Sequence, residues 1–543
     1  MWIGRVTINI IPDDVLLHIF FFDELVYRHT RYGGEVYLDG LGSFNRMWRL
    51  AWTWQRLTHV CRRWRSTIFA SPNFLDLRLV CHPGTRAELI GIWPPLPIII
   101  TNAVGGGTSG DYNFDAAMVH PNRIREITLF HLTVSLLQRL VTQMQEQFPA
   151  LMHLVLSRDH GPAPTLPDGF LGGSAPHLQS LGLDSIPFPA LPKLLLSATD
   201  LVYLTLTRIP HSGHISPEAI VTGLAGMANL KSFILEFQSP LSRPGRERRR
   251  PPPPTRTVLP ALAHFRFKGV SEYLEDLMAR IDAPLLDSIR IVFFHQLIFE
   301  IPQLAQFMRR TTRFQTPNEA HVDFNNSGVR VGYSPPTRIG ERSRLKISCR
   351  ELDWQLSSLA QVFTTFFPSI GMVEHLYMYE TPSYLPEWRD DIKDTQWLEI
   401  FEPFAAVKNL YLTKVFAPHV ARALQGLVGS GMTEVLRTLQ SIYLEGHPHF
   451  NQNPVAEVRS FPSPASSTSS LAPSPGPSTP PPLPNVAFSS PAHSSMTHSP
   501  YHSPPQPSGP ILEGIGKFVA ARHLSGHPIT VFPWERPKLG LGS

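Results

Sequence analysis

Apolar residues recur in one short pattern through most of the chain, at the first, fourth and sixth positions of each copy. Ten copies are found, beginning at Ile124, Leu151, Leu178, Leu201, Leu230, Leu262, Leu286, Val373, Val407 and Leu439. Consecutive copies start 23 to 34 residues apart, except for a gap of 87 residues after the seventh. Because side chains alternate between the faces of a strand, the end of each copy predicts a short strand with one buried face. We expect two or three irregular repeats in the gap, with candidate strands at 322–324 and 345–347.

Amphipathic stretches lie between these predicted strands. Leu137, Leu140 and Met144 recur at helical spacing in one of them, and Ser216-Pro217 is typical of a helix start. A strand and then a helix in each step of about 20–30 residues is the pattern of leucine-rich repeats, whose units bury their apolar faces against their neighbours. The sequence therefore predicts an α/β fold: a leucine-rich-repeat solenoid over residues 95–445, with a curved parallel sheet and outer helices. An ordinary α/β domain with leucine-rich strands is the alternative.

Proline, serine and arginine mark the segments that interrupt this pattern. Residues 462–510 contain 15 prolines and 14 serines and have no Asp, Glu, Lys or Arg. Such a segment has too few apolar residues to offset its ordering entropy, so we predict a disordered insert over 446–510. An exposed Arg/Pro-rich loop is predicted at 241–257. Apolar residues at helical spacing return after the insert, and they predict a closing helix and strand at 511–537.

The position between the last two apolar residues of each copy faces away from the predicted core. Three tyrosines occupy this position in the last three copies, and two arginines occupy it in earlier ones. We predict that these residues form a substrate-binding surface, together with a fourth tyrosine next to them: Tyr377, Tyr379, Tyr411, Tyr443, Arg266 and Arg290. Tyrosine buries a large area at low entropic cost and keeps a hydroxyl for hydrogen bonding. The alternative is that tyrosine simply favours strands and packs on its neighbours.

Two helical segments are predicted near the start of the chain. The first begins with an Ile-Pro-Asp-Asp sequence, and the second carries Val-Cys-Arg-Arg-Trp. Together they resemble the F-box, whose pattern is Leu-Pro-x-Glu before the first helix and Val-Cys-Arg-x-Trp in a later one. Isoleucine replaces the leucine and aspartate the glutamate. The resemblance assigns adaptor binding to the matching residues and their neighbours on the same helical faces: Pro12, Asp14, Val15, Leu16, Ile19, Phe20, Leu57, Val60, Cys61 and Trp64.

An F-box-like domain over residues 1–80, followed by loose leucine-rich repeats, is similar to the large F-box families of mushroom-forming fungi. The resemblance implies a substrate-recognition subunit of a ubiquitin ligase. In such a ligase the F-box helices bind a Skp-type adaptor, which links them to a cullin–RING ligase, and the repeats hold a protein substrate. The alternatives are a leucine-rich-repeat interaction scaffold with no ligase role and, with least support, an enzyme on an irregular α/β fold.

Composition excludes several other classes of protein. Three cysteines, none at C-x-x-C spacing, cannot build a disulfide framework or a common zinc module. No G-x-S-x-G or H-E-x-x-H motif is found, so we expect no enzyme activity, no cofactor and no metal. The net charge of +5 is small for 543 residues, so nucleic acid is not an expected partner. No secretory signal or bilayer-spanning stretch is apparent, and a cytoplasmic or nuclear location without membrane association is expected.

Overall fold

The computed structural model describes most of the repeat region and parts of both ends of the chain. The described residues are 11–18, 59–70, 77–80, 97–101, 111–159, 161, 163–240, 255–294, 296, 298–311, 314, 318–334, 343–348, 352–366, 370–380, 393–430, 435–445 and 508–534. The predicted loop at 241–257 and the predicted insert at 446–510 lie almost entirely outside these residues. None of the helices in the described part is long and apolar enough to cross a bilayer.

The described strands form one long sheet and one small one. Sixteen strands build the long sheet, and β8 and β10 pair separately. The strands are β1 (Leu77–Val80), β2 (Ile98–Thr101), β3 (Ile124–Leu129), β4 (His153–Ser157), β5 (Ser180–Asp184), β6 (Tyr203–Ile209), β7 (Ser232–Phe237), β8 (Thr257–Val258), β9 (His264–Gly269), β10 (Ile281–Asp282), β11 (Ser288–Phe294), β12 (Glu319–Asn325), β13 (Gly328–Ser334), β14 (Ser343–Ser348), β15 (His375–Glu380), β16 (Asn409–Leu412), β17 (Ser441–Glu445) and β18 (Thr530–Trp534).

Helices connect most of these strands. They are α1 (13–18), α2 (Arg62–Phe69), α3 (Asp111–Met118), α4 (Val134–Gln143), α5 (Leu191–Leu195), α6 (Pro217–Leu224), α7 (Ser271–Met278), α8 (Pro302–Arg310), α9 (Leu352–Phe366), α10 (Asp394–Phe401), α11 (Ala417–Ser430) and α12 (Ser508–Leu524). Helix α6 begins as its sequence predicts, because the Ser216 hydroxyl accepts a hydrogen bond from the Ala219 amide at 3.2 Å. Leu137 and Leu140 of α4 are fully buried.

The repeated apolar positions align from strand to strand in a parallel register. Leu154, Leu181, Leu204, Phe233 and Phe265 are successive partners across β4 to β9. Their side chains join the helices in a single hydrophobic cluster. Along several strands, buried residues alternate with half-buried ones, as throughout β11, β16 and β17. The prediction of an α/β fold with a long, mainly parallel sheet and solenoid-like repeats is confirmed. We call the face formed by the alternate, half-buried positions the open face.

The 87-residue gap in the repeats holds three strands in reversed order. The sheet order is β11-β14-β13-β12-β15, with β14 parallel to β11 and β12 parallel to β15. Strand β13 is antiparallel to both of its neighbours. The candidate strands at 322–324 and 345–347 lie in β12 and β14, but the two or three irregular repeats expected here are replaced by this meander. The short turn after β12 is the reason, because a turn of this length permits only antiparallel pairing.

Helices α1 and α2 at the start of the chain are joined by one arginine. The Arg63 Nε atom donates to Asp13 Oδ1 at 2.9 Å, and its guanidinium also donates to the Ile11 carbonyl. An all-α module over 1–80 stays a prediction, since much of this range lies outside the described residues. Strand β1 of the long sheet already begins at Leu77, inside that range.

The last described segment extends the sheet beyond the repeats. Strand β18 is parallel to β17, with Thr530 opposite Ser441 and Trp534 opposite Glu445. Helix α12 precedes it and buries Ile515 and Phe518. Arg522 of the same helix is also buried, and its guanidinium donates a hydrogen bond to the Leu436 carbonyl. This segment therefore covers the edge of β17 with its own helix and strand.

Candidate functional site

Five aromatic side chains form a row across the open face near the end of the sheet. The register places one residue of each of five neighbouring strands, β12, β15, β16, β17 and β18, directly opposite the next. We call the row the aromatic ladder, and its members are His321, Tyr377, Tyr411, Tyr443 and Phe532. Parallel pairing of β15 to β18 is what brings together tyrosines that are distant in sequence.

The rings of the aromatic ladder stack on one another. Ring centroids are 4.5 Å apart for His321 and Tyr377, 4.2 Å for Tyr377 and Tyr411, and 4.4 Å for Tyr411 and Tyr443. Phe532 continues the row at 5.3 Å from Tyr443. Interplanar angles stay at or below 23°. Each tyrosine thus covers the faces of its neighbours, and what the ladder offers to a partner is ring edges and hydroxyl groups.

The hydroxyl groups of Tyr377 and Tyr411 remain protonated at neutral pH. Burial raises the pKa of Tyr377 above its usual value, and the neighbouring Tyr411 and Glu319 raise it further. Burial likewise raises the pKa of Tyr411. Both phenols can therefore donate hydrogen bonds, whereas an ionised phenol could only accept them.

Two more aromatic residues lie beside the ladder. The indole ring of Trp534 is 5.5 Å from the ring of Tyr411 and crosses it at 62°. Tyr379, which the sequence pattern grouped with the binding tyrosines, is only 9% exposed and contacts the His321 ring edge-on at 6.3 Å. Tyr379 therefore packs against the ladder and adds little to the surface that a partner could contact.

Positive side chains cover the open face on the four strands next to the ladder. Arg266, Arg290 and Arg344 are aligned across β9, β11 and β14. Two positions further along, the same face carries Lys268 on β9 and Lys346 on β14, with Arg330 opposite Lys346 on β13. We call this set the basic cluster: Arg266, Lys268, Arg290, Arg330, Arg344 and Lys346.

Local contacts hold several of these cations in place. Arg266 forms an ion pair with Glu236, and Arg330 lies 3.6 Å from the Asp323 carboxylate. The Lys346 ammonium donates to the Ser327 hydroxyl at 2.7 Å. Lys268 lies over the ring of Phe294, with its ammonium 5.6 Å from the ring centroid, in a cation–π contact.

The sequence pattern identified only part of this site. Tyr377, Tyr411 and Tyr443 are brought together, and Arg266 and Arg290 lie in line on strands further along the same face. His321 and the cations of β13 and β14 were missed because the reversed meander hides their register. Phe532 was missed because its strand follows a long insert. The signals in the sequence were the candidate strands at 322–324, which His321 immediately precedes, and at 345–347, which contains Lys346.

The residues assigned to adaptor binding fall into four groups. Pro12 and Asp14 are exposed, as are Val15 (41%) and Val60 (58%). Leu16 is 1% exposed, so its side chain packs inside the chain and offers no surface to a partner. Cys61 caps α2, with its Sγ atom accepting from the Trp64 amide at 3.5 Å, and both side chains are partly buried. Ile19, Phe20 and Leu57 lie outside the described residues.

No family model matches this chain, and no curated protein matches it. Among solved structures, the crystal structure of the leucine-rich repeat-containing protein LegL7 from Legionella pneumophila is similar to it, with 10% sequence identity and a TM-score of 0.25. The similarity covers 68% of this chain and 90% of that chain. The interpretation of the site therefore depends on its own geometry.

Proposed function

We propose that this chain is a leucine-rich-repeat recognition protein that binds a protein partner on the open face of its sheet. The observation that carries the proposal is the aromatic ladder, because stacked rings form a rigid surface that loses little entropy when a partner binds. Tyrosine hydroxyls at the edges of the rings supply hydrogen bonds. We expect no chemistry from this surface, and the chain acts by binding.

The test replaces the tyrosine hydroxyls and then the rings. Tyr377, Tyr411 and Tyr443 are changed together to Phe in one variant and to Ala in another. Partners are captured with each variant as bait and quantified by mass spectrometry. The Phe variant keeps the stack and loses hydrogen bonds worth about 0.5–1.5 kcal/mol each, so capture should fall at least about tenfold. The Ala variant should lose more.

The control changes open-face residues away from the ladder. Thr205→Ala with Ser232→Ala, on β6 and β7, should leave capture unchanged. Thermal denaturation establishes that each variant is folded. If folded tyrosine variants retain every partner at the wild-type level, the ladder is a packing feature and the proposed function is wrong.

At the N-terminus we further propose an F-box-like contact with a Skp-type adaptor, which would make the chain the substrate receptor of a cullin–RING ubiquitin ligase. The match of both motifs supports this, as does the exposure of Pro12, Val15 and Val60. A receptor of this kind needs no catalytic group, since it raises the effective concentration of its substrate beside the ligase to about the millimolar range. Without the adaptor contact, the chain is an interaction scaffold.

Binding of a purified Skp-type adaptor distinguishes these two functions. The double variant Val15→Glu with Val60→Glu places charge at two exposed apolar residues, each of which would contribute up to about 1.5–3 kcal/mol on burial. We expect adaptor binding, measured by calorimetry, to weaken at least about tenfold. His18→Glu is the matched control, because it adds charge at an exposed position of the same helix. No binding by the wild-type chain would favour the scaffold.

A further inference from the structure

The basic cluster is a strongly one-sided arrangement of charge. Its six arginines and lysines lie on four adjacent strands, β9, β11, β14 and β13, whose residues include no aspartate or glutamate. Among the described residues, carboxylates pair with the cluster from the bordering strands, where Glu236 on β7 contacts Arg266 and Asp323 on β12 contacts Arg330. The four strands of the cluster thus contribute six cations and no carboxylate to this part of the open face.

Packing within the cluster shows that its charges are crowded. Lys346 is half-buried, and burial lowers the pKa of its ammonium group. Repulsion by Arg330 and Lys268 lowers that pKa further, against the attraction of Asp323. A neighbouring anion would relieve this repulsion, so the face favours a negatively charged ligand.

The aromatic ladder next to the cluster decides between classes of polyanion. Single-stranded nucleic acid binds aromatic surfaces by stacking bases on free ring faces. Here Tyr377, Tyr411 and Tyr443 each lie between two ring neighbours at 4.2–5.3 Å, so their faces are covered. Ring edges with hydroxyl donors suit the carbonyl and carboxylate oxygens of a peptide instead.

We infer that the open face binds an extended acidic peptide segment of the partner, whose carboxylates contact the basic cluster and whose remaining residues lie along the ladder. The inference deepens the proposed function and depends on it. Arginine and carboxylate form short, charge-assisted hydrogen bonds, often in pairs. Neighbouring strands lie about 4.8 Å apart and an extended chain rises about 3.3 Å per residue, so acidic residues three positions apart, about 9.9 Å, would meet every second strand.

Fluorescence anisotropy with defined peptides tests the inference on the full chain. The probes are fluorescein-labelled decaglutamate, decaglutamine and a single-stranded oligothymidylate of equal length. Decaglutamate should bind at least about tenfold more tightly than decaglutamine, and its affinity should fall as salt is raised. The triple variant Lys268→Glu, Arg290→Glu, Lys346→Glu should weaken decaglutamate binding at least about tenfold. The double variant Lys268→Gln, Lys346→Gln should weaken decaglutamate binding less than the triple variant. It replaces the triple variant in the test if the triple variant does not fold.

A matched control has the same change in net charge elsewhere. Lys193→Glu, Lys231→Glu and Lys414→Glu replace three exposed lysines outside the open-face rows and should leave decaglutamate binding within about twofold. Equal losses in both triple variants, equal binding of decaglutamate and decaglutamine, or tighter binding of the oligothymidylate would each overturn the inference. None of these results would alter the partner capture that tests the aromatic ladder. The failure of the acidic-peptide inference can therefore be distinguished from the failure of the proposed function.

Discussion

Tyr273 lies at the centre of a buried aromatic group beneath the middle of the sheet. Its hydroxyl donates to the Ile215 carbonyl at 2.8 Å, and its ring is 4.7 Å from that of Phe237. His214 completes the group, edge-on to Tyr273 at 5.8 Å and stacked on Phe237 at 5.9 Å. Within the described part of the chain, the buried Nε2 atom of His214 has no hydrogen-bond partner. A neutral imidazole is tolerated in this site far better than a charged one.

His214 should make the stability of the protein fall in mild acid. Burial lowers its pKa, and the nearby His211 lowers it further. The unfolded chain, with a histidine pKa of about 6.5, then binds more protons than the folded one as the pH falls below that value. The free energy of unfolding therefore decreases with falling pH, by at most about 1.4 kcal/mol per pH unit for this group.

Urea denaturation between about pH 7.5 and pH 5.5 measures this effect through the midpoint. The His214→Phe variant, which keeps an aromatic ring in the site, should show a smaller decrease than the wild type. His264→Gln, at an exposed histidine, should decrease as the wild type does. An unchanged decrease in His214→Phe would show that other groups determine the acid sensitivity.

At the scale of elements, the reversed meander is held at the turn between β12 and β13. Helix α9 crosses over it, and the buried Gln355 of that helix donates from Nε2 to the Asn325 carbonyl at 2.9 Å. The turn between β12 and β13 is also fixed by Asn325, whose side-chain oxygen accepts from the Ser327 amide at 2.9 Å. The meander is thus connected to the outer helices through the turn as well as through its strands.

Gly328 is the position in this turn that accepts no side chain. Its φ of +147° is rarely adopted by other residues, and an added Cβ would lie 2.0 Å from the Ile347 carbonyl oxygen of β14. We expect Gly328→Ala to lower the free energy of unfolding by at least about 2 kcal/mol, from backbone strain and overpacking together. Urea denaturation followed by circular dichroism measures the change.

Gly426→Ala is the opposite control for this substitution. Gly426 lies inside α11, and apart from its chain neighbours and the nearby backbone of its own helix, no atom of the described residues lies within 4 Å of an added Cβ. Alanine there should stabilise the protein by about 0.5–1 kcal/mol through its higher helix propensity. If both alanine variants have the same stability, the turn at Gly328 does not have the conformation described.

At the scale of the whole molecule, the local pattern of apolar residues predicts which face of each strand is buried. Alternation of apolar residues assigns Leu154, Leu181 and Leu204 to the core, and the positions between them to the open face. A shift of the pattern by one residue would exchange the buried and open faces of a strand. The alternation of apolar residues therefore strongly constrains which face of each strand is buried. The same alternation places Tyr377, Tyr411 and Tyr443 in one row from the amino-acid sequence alone.

Such patterns do not predict the order of the strands in the sheet, because strand order depends on pairing between distant segments. Nothing in the residues around Arg344 or Arg330 indicates that their strands pair in reverse order. As a result, half of the basic cluster and His321 could be assigned to the open face only from the structure. The register of Phe532 depends in the same way on β18 pairing with β17 across a gap of more than sixty residues.

The reversed meander has a consequence for how such a chain could change its length. Regular repeats touch only their neighbours, so single units can be gained or lost while the rest of the array stays in register. Strands β11 and β15 are not paired with each other here, because β14, β13 and β12 lie between them. Strands β14 and β12 run in the same direction as β11 and β15, and only β13 is reversed, so removal of the whole block would bring two strands of the same direction together. Such a loss would take Arg330, Arg344 and Lys346 from the cationic half of the surface and His321 from the aromatic half.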